Sequence, residues 1–203
     1  MMEGYEIVNL NFLVDELGED RTKQILSCFS CPMNRDVEFF LKVKAIEFAK
    51  QGLSQTHLVF ASYKGKPELV GYYALANKYI TVSANKLSRR LKDRINKFST
   101  YDSRLRCYCL AAPLIAQLGK NFTNGMNKLI SGDEILMMAC EKVKQTQLDI
   151  GGKFVYLECE DKPRLVEFYE SNGFCTFDRR SLDKDETSMH GEYLLQMIKY
   201  LKR

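Results

Sequence analysis

The sequence of 203 residues predicts a mixed α/β fold in a single domain. Helical spacing of apolar residues dominates residues 1–52, and strand-like runs begin after them. Beyond Pro113, strand-like and helical segments alternate, which is the order of elements in α/β proteins. No repeat or Pro/Gly-rich linker divides the chain, so residues 1–203 are predicted to form one domain.

Two helices are predicted in the N-terminal region. Residues 12–29 carry apolar side chains at helical spacing. Residues 34–50 form a stronger pattern, because Asn34 can cap the first turn and Gly52 follows the last one. The region 1–52 is therefore predicted to be helical.

A β-hairpin is predicted next, because the period of the apolar pattern changes from helical to strand-like. Residues 56–62 and 68–76 are apolar runs rich in β-branched and aromatic side chains. A Lys-Gly-Lys-Pro turn at 64–67 separates the two runs.

The second half of the chain is predicted to alternate between strands and helices. Strand material is predicted at 106–117, with an interruption at Pro113, in a strand that ends near Asn121, and further strands are predicted at 153–159 and 192–198. Helices are predicted between them, at 133–147 and 163–171. This alternation is the main sequence evidence for α/β architecture.

Composition excludes several classes of protein. Hydrophobic residues make up 45% and charged residues 28%, as in ordinary globular proteins. No apolar run approaches the ~20 residues that cross a bilayer, and the N-terminus lacks the pattern of a signal peptide. A cytoplasmic protein without membrane contact is expected, and the sequence leaves open whether it forms a homodimer.

The seven cysteines are interpreted as reduced thiols rather than as a disulfide framework. Cys28 and Cys31 have the spacing of a metal-binding pair, and Cys107 and Cys109 form a tighter pair in a strand-like run. A four-thiolate zinc site is the alternative interpretation. Buried free thiols are the ordinary state of cysteine, so no metal is expected.

Positive charge is concentrated in residues 86–106, although the net charge of the chain is only +4. The eight bases of this basic segment are Lys86, Arg89, Arg90, Lys92, Arg94, Lys97, Arg104 and Arg106. Leu87, Leu91 and Ile95 have the spacing of a buried helical stripe. The segment is therefore either a solvated helix or a surface that follows the phosphates of a nucleic acid.

A candidate anion-binding loop precedes the helix predicted at 133–147. A helix N-terminus offers unpaired N–H groups and the positive end of the helix dipole, and this combination binds pyrophosphate. Gly132 allows a ligand to approach the backbone closely, and Lys128 adds a cation. The acids that follow, Asp133 and Glu134, stabilise a helix start but repel an anion.

An aromatic pair, Phe168 and Tyr169, lies near the end of the helix predicted at 163–171. Tyr169 stands one turn before the helix-stopping Gly173, on the same helical face. Taken alone, this pattern is typical of an aromatic packing residue on an amphipathic helix.

The order strand, loop, helix, strand and then Phe168-Tyr169-x-x-x-Gly173-Phe174 resembles that of the GNAT acetyltransferases, over residues 69–174. The resemblance implies a mostly antiparallel, twisted sheet of about six or seven strands, with a parallel pair that splays apart and helices on both faces. It implies acetyl-CoA as co-substrate and a primary amine as acceptor, which attacks the thioester directly.

The resemblance also implies roles for individual residues. The pantetheine arm would pair with the strand near Leu118 and Lys120, where a backbone N–H polarises the thioester carbonyl. Tyr169 stands where the family often places the acid that protonates the departing thiolate. The other residues implied to bind acetyl-CoA are Asn127, Lys128, Ile130, Ser131, Gly132, Asp133 and Phe168.

The loop departs from the family pattern Q/R-x-x-G-x-G/A, because Ile130 stands at the middle glycine and only Gly132 remains. A narrower resemblance, to GNAT toxins that acetylate aminoacyl-tRNA, rests on Cys31-Pro32-Met33-Asn34, on residues 69–76 and on the basic segment after them. It implies aminoacyl-tRNA as an acceptor bound through residues 86–106. Gln117 stands where those toxins usually carry arginine.

Three functions stay open at this point. The chain is an N-acetyltransferase with an undetermined amine acceptor, a toxin that acetylates aminoacyl-tRNA, or a non-catalytic protein that binds acyl-CoA or RNA on a GNAT-like scaffold. The retained Tyr169 argues against the third.

No general base stands out in the sequence. Glu158 lies at the end of the strand predicted at 153–159 and Glu160 directly follows it, and a solvated strand end is the favoured interpretation for both. His57 and His190 have no spacing that suggests a metal site or a catalytic dyad. Positioning of the amine can suffice without a dedicated base.

Overall fold

The computed structural model describes residues 4–182 and 192–202. The strands are β1 (Tyr5–Asn9), β2 (Gln55–Tyr63), β3 (Lys66–Ser83), β4 (Thr100–Asp102), β5 (Cys107–Lys120), β6 (Phe154–Glu160), β7 (Cys175–Ser181) and β8 (Tyr193–Tyr200). The helices are α1 (Leu10–Leu17), α2 (Glu19–Ser27), α3 (Arg35–Phe39), α4 (Ala45–Lys50), α5 (Arg89–Ile95), α6 (Gly132–Ile150) and α7 (Pro163–Ser171). A π-helical segment, Phe40–Lys44, joins α3 to α4, and short 3₁₀ segments cover Ala84–Lys86 and Thr123–Lys128.

The strands form one sheet in the order β1-β2-β3-β5-β6-β8-β7, and the short β4 pairs with β5. The pairs β1–β2, β2–β3, β4–β5, β6–β8 and β7–β8 are antiparallel. β5 and β6 are joined through α6, the kind of crossover that a parallel pair requires. The predicted mixed α/β fold, with a mostly antiparallel sheet and one parallel pair, is confirmed.

The chain forms two compact units. Unit 1 comprises Met1–Ala76 and Ile115–Ala139, and unit 2 comprises Asn77–Leu114 and Cys140–Arg203. Unit 1 holds β1, β2, α1 to α4 and the loop before α6, whereas unit 2 holds α5, α7 and the strands β4, β6, β7 and β8.

In unit 1, helices cover both faces of the sheet. The Tyr72 ring packs at 5.3 Å from the Phe29 ring, and its hydroxyl donates to the Val37 carbonyl at 2.6 Å, so Tyr72 faces α3. Side chains alternate between faces along a strand, so Gly71 faces the opposite side. There a Cβ on Gly71 would lie 2.6 Å from the Ile135 side chain, which places the start of α6 on that face.

In unit 2, β6 is buried on both of its faces. Its residues Phe154, Val155, Tyr156 and Leu157 are all nearly inaccessible to solvent. The Phe154 ring packs against the rings of Phe98 and Tyr200, with centroids 5.9 and 5.3 Å away. A continuous apolar run is the expected sequence of a strand with both faces covered.

The N-terminal helices differ in detail from the prediction. The helix predicted at 12–29 is broken into α1 and α2 at Gly18, whose φ of 78° belongs to the left-handed region that glycine tolerates. Asn34 caps α3 as predicted, because its side-chain oxygen accepts the N–H groups of Asp36 and Val37. Among the described residues, no helix combines the length and the apolar character that a membrane span requires.

Candidate functional site

The end of β5 is fixed by the buried Asn121. Its amide donates to the Leu69 carbonyl at 2.8 Å, and its side-chain oxygen accepts the N–H groups of Ser30 and Thr123. Its own backbone N–H donates to the Val70 carbonyl. Both the nitrogen and the oxygen of the side-chain amide are therefore hydrogen-bonded, and the amide orients the chain where the loop leaves the strand.

The tight turn of the loop after β5 lies at Asn124 and Gly125, before the segment that corresponds to the family motif. Asn124 and Gly125 adopt positive φ values of 51° and 76° inside the 3₁₀ segment. Ile130, which stands at the middle glycine of the family motif, does not need such a conformation, because its φ is not positive. Its side chain is only 3% exposed and serves as a core residue instead.

Ser131 and Glu134 form a reciprocal cap at the start of α6. The Ser131 N–H donates to the Glu134 carboxylate at 2.7 Å, and the Glu134 N–H donates to the Ser131 hydroxyl at 3.1 Å. The two side chains also bond to each other at 2.8 Å. This is a capping box, and its Ser-x-x-Glu spacing is a readable signal that the interpretation of the loop as an anion site did not use.

Tyr5 of β1 reaches the same helix start. Its hydroxyl lies 2.8 Å from the Leu129 carbonyl oxygen and 3.1 Å from a carboxylate oxygen of Glu134. The Ser131 hydrogen bonds and the Tyr5 bond lower the pKa of Glu134, so it is a carboxylate at neutral pH. An anion of the chain itself therefore occupies the helix start in this structure.

The residues implied to bind acetyl-CoA are divided between the units. Leu118, Lys120, Asn127, Lys128, Ile130, Ser131, Gly132 and Asp133 belong to unit 1, and Phe168 and Tyr169 belong to unit 2. Within unit 1, the Lys120 ammonium donates to the Asn127 carbonyl at 3.1 Å and so ties the strand end to the loop. Lys128 is exposed and can meet an anion from solvent.

Tyr169 lies in the last turn of α7, where it packs in an aromatic cluster. Its ring centroid is 5.0 Å from that of Phe168 and 5.9 Å from that of Phe174. The Phe174 N–H donates to the Tyr169 carbonyl and closes the turn after α7. Burial and the nearby Cys159 raise the pKa of Tyr169 well above its ordinary value, so the hydroxyl is protonated at neutral pH.

Glu158 is held in a polar network of unit 2 rather than at a solvated strand end. Arg180 donates to one carboxylate oxygen at 2.6 Å, and Tyr156 and Gln196 donate to the other. Burial raises the pKa of Glu158, but the hydrogen bonds from Arg180 and Tyr156 outweigh it and leave that pKa lowered. A carboxylate held in this way is a weak base.

Glu160 also has a cationic partner, because the Lys162 ammonium lies 2.7 Å from its carboxylate. Its side chain is only 14% exposed. The expectation of solvated strand ends is therefore wrong for both carboxylates. Glu160 pairs with a lysine two positions away, whereas the partner of Glu158 comes from a strand that is distant in the sequence.

The basic segment contains the short helix α5. Some of its cationic side chains are exposed, whereas others contact aromatic or acidic side chains of unit 2. Arg89, Arg90 and Lys92 are exposed on α5, and Ile95 is fully buried, as its spacing predicted. Arg94 is half-buried, with its guanidinium 4.8 Å from the centroid of the Tyr200 ring. Lys86 forms an ion pair with Asp178.

The cysteines and histidines form no complete metal site within residues 4–182 and 192–202, where no group of three potential ligands comes together. Cys28 is exposed and Cys31 is buried, whereas the Cys107 and Cys109 sulfurs lie 4.0 Å apart. His57 is buried and its ring stacks on Tyr73 at 4.9 Å. His190 lies outside the described residues.

Comparisons with known proteins give a consistent answer on fold. The sequence matches no protein-family model and no curated protein. The structure is similar to a mutant of KacT (14% identity, 96% of this chain and 94% of that chain covered, TM-score 0.62). It is also similar to AtaT complexed with acetyl-methionyl-tRNAfMet (14%, 94% and 93%, TM-score 0.61).

The structure is also similar to that of a mutant AtaT toxin bound to the C-terminus of the antitoxin AtaR and acetyl-CoA. The identity is 14%, the match covers 96% of this chain and 92% of that chain, and the TM-score is 0.56. The chain has the GNAT fold. The GNAT resemblance of residues 69–174 is thus confirmed as a resemblance of fold. At this level of identity the likeness establishes the architecture and leaves the chemistry to be argued from the residues.

Proposed function

We propose that this protein is an acetyl-CoA-dependent N-acetyltransferase that moves an acetyl group to a primary amine by direct attack. The observation that carries the proposal is the position of Tyr169 in the last turn of α7, packed between Phe168 and Phe174, in a chain with the GNAT fold. Solved proteins of similar structure are bound to acetyl-CoA or to acetyl-methionyl-tRNAfMet, which supports the same co-substrate here.

The proposed reaction needs one proton donor from the protein and no dedicated general base. The amine nitrogen forms a bond to the acetyl carbon, the carbon–sulfur bond breaks, and the CoA thiolate leaves. Tyr169 is proposed to donate its proton to that thiolate, and a backbone N–H of β5 near Leu118 is proposed to polarise the carbonyl. The surplus proton of the amine passes to water, because Glu158 is already engaged by Arg180, and water returns a proton to the Tyr169 phenolate.

The pyrophosphate of acetyl-CoA is proposed to bind at the loop before α6. Lys128 supplies a cation, and the N–H groups around Gly132 supply donors. The capping box fits this role only in part, because the Ser131 and Glu134 N–H groups already have partners. The Glu134 carboxylate must turn away from the helix start for an anion to approach it closely.

The remaining implied contacts complete the proposed site. The backbone of β5 at Leu118 and Lys120 is proposed to pair with the pantetheine arm. The loop residues Asn127, Ile130, Ser131 and Asp133 would border the pyrophosphate, and Phe168 would contribute an apolar surface beside Tyr169.

A second candidate function names the acceptor as the amino group of aminoacyl-tRNA. Three exposed bases of α5, Arg89, Arg90 and Lys92, favour it, because exposed cations attract phosphates without reading sequence. The similarity to AtaT complexed with acetyl-methionyl-tRNAfMet also favours it.

The decisive experiment combines binding and turnover on the purified protein. Saturating acetyl-CoA should raise the melting temperature by mass action, and incubation with mixed aminoacyl-tRNAs or simple amines should release free CoA thiol. An unchanged melting curve would contradict the assignment. A shifted curve without thiol release for any acceptor would favour a non-catalytic acyl-CoA-binding protein.

A further inference from the structure

A pair of thiols lies on one face of the sheet in unit 2, apart from the residues of the proposed reaction. Cys107 and Cys109 are two positions apart on β5, so their side chains point to the same face. Their sulfurs are 4.0 Å apart. Cys107 is only 4% exposed, and Cys109 is half-buried, so one edge of the pair is open.

We propose that Cys107 and Cys109 bind one thiophilic divalent cation of the Zn²⁺ type as a pair of thiolates. Zinc–thiolate bonds are about 2.3 Å long. Two sulfurs 4.0 Å apart are both at that distance from one cation when the sulfur–metal–sulfur angle is about 120°. This angle is close to tetrahedral, so the thiols need to move little to bind.

The surroundings of the pair favour a cation. Asp102 stands directly opposite Cys107 in the β4–β5 register, so its carboxylate and the Cys107 thiol lie on the same face of the sheet. The Asp102 Oδ1 atom accepts the N–H groups of Arg104 and Leu105, at 2.8 and 3.0 Å, which orient the carboxylate.

The Cys28–Cys31 pair has the more familiar spacing, but its thiols are differently placed. The Cys28 thiol donates to the Gln24 carbonyl at 3.6 Å and is exposed at the end of α2. Cys31 is buried in the core of unit 1, among the helices. This pair is therefore the matched control for the Cys107–Cys109 pair.

The binding step balances as one dication exchanged for two thiol protons. Both thiols give up their protons to the buffer and both sulfurs bond to the metal, with water completing the coordination. No oxidant or reductant takes part. The site does not depend on acetyl transfer.

The test titrates Zn²⁺ alone into the full-length protein, reduced with a phosphine and freed of metal, by calorimetry in two buffers of different ionisation enthalpy. The expected result is one ion per chain with the release of about two protons. Cys107→Ser and Cys109→Ser should each weaken binding at least tenfold, whereas Cys28→Ser and Cys31→Ser should leave it unchanged. Asp102→Asn should weaken binding several-fold and keep the stoichiometry.

Three results would overturn the proposal: wild-type protein that binds no Zn²⁺, binding that is lost with Cys28 or Cys31 instead, and binding without proton release. The proton count is measured on the wild-type protein, so it decides the matter even if a serine variant fails to fold. Cd²⁺, followed through the ultraviolet absorption of its thiolate bonds, provides a second readout of sulfur ligation in the same variants.

Discussion

The Glu134 carboxylate accepts the Ser131 N–H at 2.7 Å, so the start of α6 is capped by its own side chain. Carboxylates and phosphates favour the same position, because both respond to the unpaired N–H groups and the dipole of a helix start. Glu134 is therefore a competitor for the pyrophosphate that this loop is proposed to bind.

Glu134→Gln should tighten the binding of CoA. Glutamine keeps the capping box, because its side-chain oxygen can still accept the Ser131 N–H, but it removes the negative charge. A unit charge at about 4 Å in water-like surroundings is worth roughly 1 kcal/mol, so the dissociation constant should fall about fivefold. Calorimetric titration of CoA measures it.

Glu141→Gln is the matched control for this charge change, because Glu141 is exposed on the same helix and pairs with Lys144. It should leave CoA affinity unchanged. Equal or weaker CoA binding by Glu134→Gln would show that the carboxylate does not oppose the cofactor, whereas an absence of CoA binding by the wild type would contradict the proposed function itself.

Tyr169→Phe should lower turnover and leave acetyl-CoA affinity nearly unchanged. The variant keeps the ring contacts with Phe168 and Phe174 and removes only the proton donor. A general acid typically contributes ~10²–10⁴-fold, and a fall of that order is expected in single-turnover thiol release. Unchanged turnover would reduce Tyr169 to a packing residue.

Acid should destabilise the protein through carboxyl groups whose pKa values the fold lowers, among them Glu38, Glu134 and Glu158. The causes are the Lys42 hydrogen bond for Glu38, the Ser131 N–H for Glu134, and the Arg180 and Tyr156 bonds, which outweigh burial, for Glu158. A folded pKa below the ordinary value of 4.5 gives stability that is present above that pH and lost as the pH falls through the folded pKa. Melting temperatures at about pH 7, 5 and 3.5 should therefore drop at the last step.

Glu158→Gln provides the check on that acid dependence, because glutamine cannot titrate. Its melting temperature should be lower than that of the wild type at neutral pH and should change less between about pH 5 and 3.5. A variant whose acid dependence equals that of the wild type would mean that Glu158 does not contribute to it.

Arg89→Glu combined with Arg90→Glu should weaken tRNA binding and leave the melting temperature unchanged. Both side chains are exposed on α5, away from the buried position of that helix at Ile95, so their reversal should not disturb the core. Arg94 is left intact, because its guanidinium packs over Tyr200. Gel shifts at two salt concentrations should show a shallower salt dependence for the variant, by about one power of salt concentration per lost phosphate contact.

The control for this prediction reverses two other exposed cations, Lys64 and Lys142, which lie outside the basic segment. It makes the same change in net charge and should bind tRNA as the wild type does. Wild-type protein that binds no tRNA at low salt would remove aminoacyl-tRNA as the acceptor and direct attention to a small-molecule or peptide amine.

The elements with strong apolar periodicity were predictable from the sequence. The first hairpin strand, α6, β6 and α7 all lie within a few residues of their predicted bounds, because each buries a continuous stripe or run, whereas β3 continues to Ser83, well beyond the predicted end at residue 76. β1 and β7 were not predicted. β7 is an edge strand whose Asp178, Arg179 and Arg180 interrupt any apolar alternation, so pairing with β8 rather than its own pattern makes it a strand.

The candidate site was predictable only in outline. The start of α6 was predicted to within one residue, but the Ser131–Glu134 capping box did not enter that prediction, although its spacing is readable. The contact of Tyr5 with Glu134 could not be read from the sequence, because the two residues are 129 positions apart and meet only when the fold is complete. The same applies to Arg180, which neutralises Glu158 from a different strand.

The hydrogen bonds of Asn121 also bear on how unit 1 opens and exchanges its amide protons with solvent. Its side chain joins Ser30, 91 positions away, to Leu69, 52 positions away, and contacts of such long range form only after large loops have closed. The Ser30 amide proton, which Asn121 accepts, should therefore exchange with solvent only when unit 1 opens as a whole, and its exchange rate reports the opening free energy of that unit.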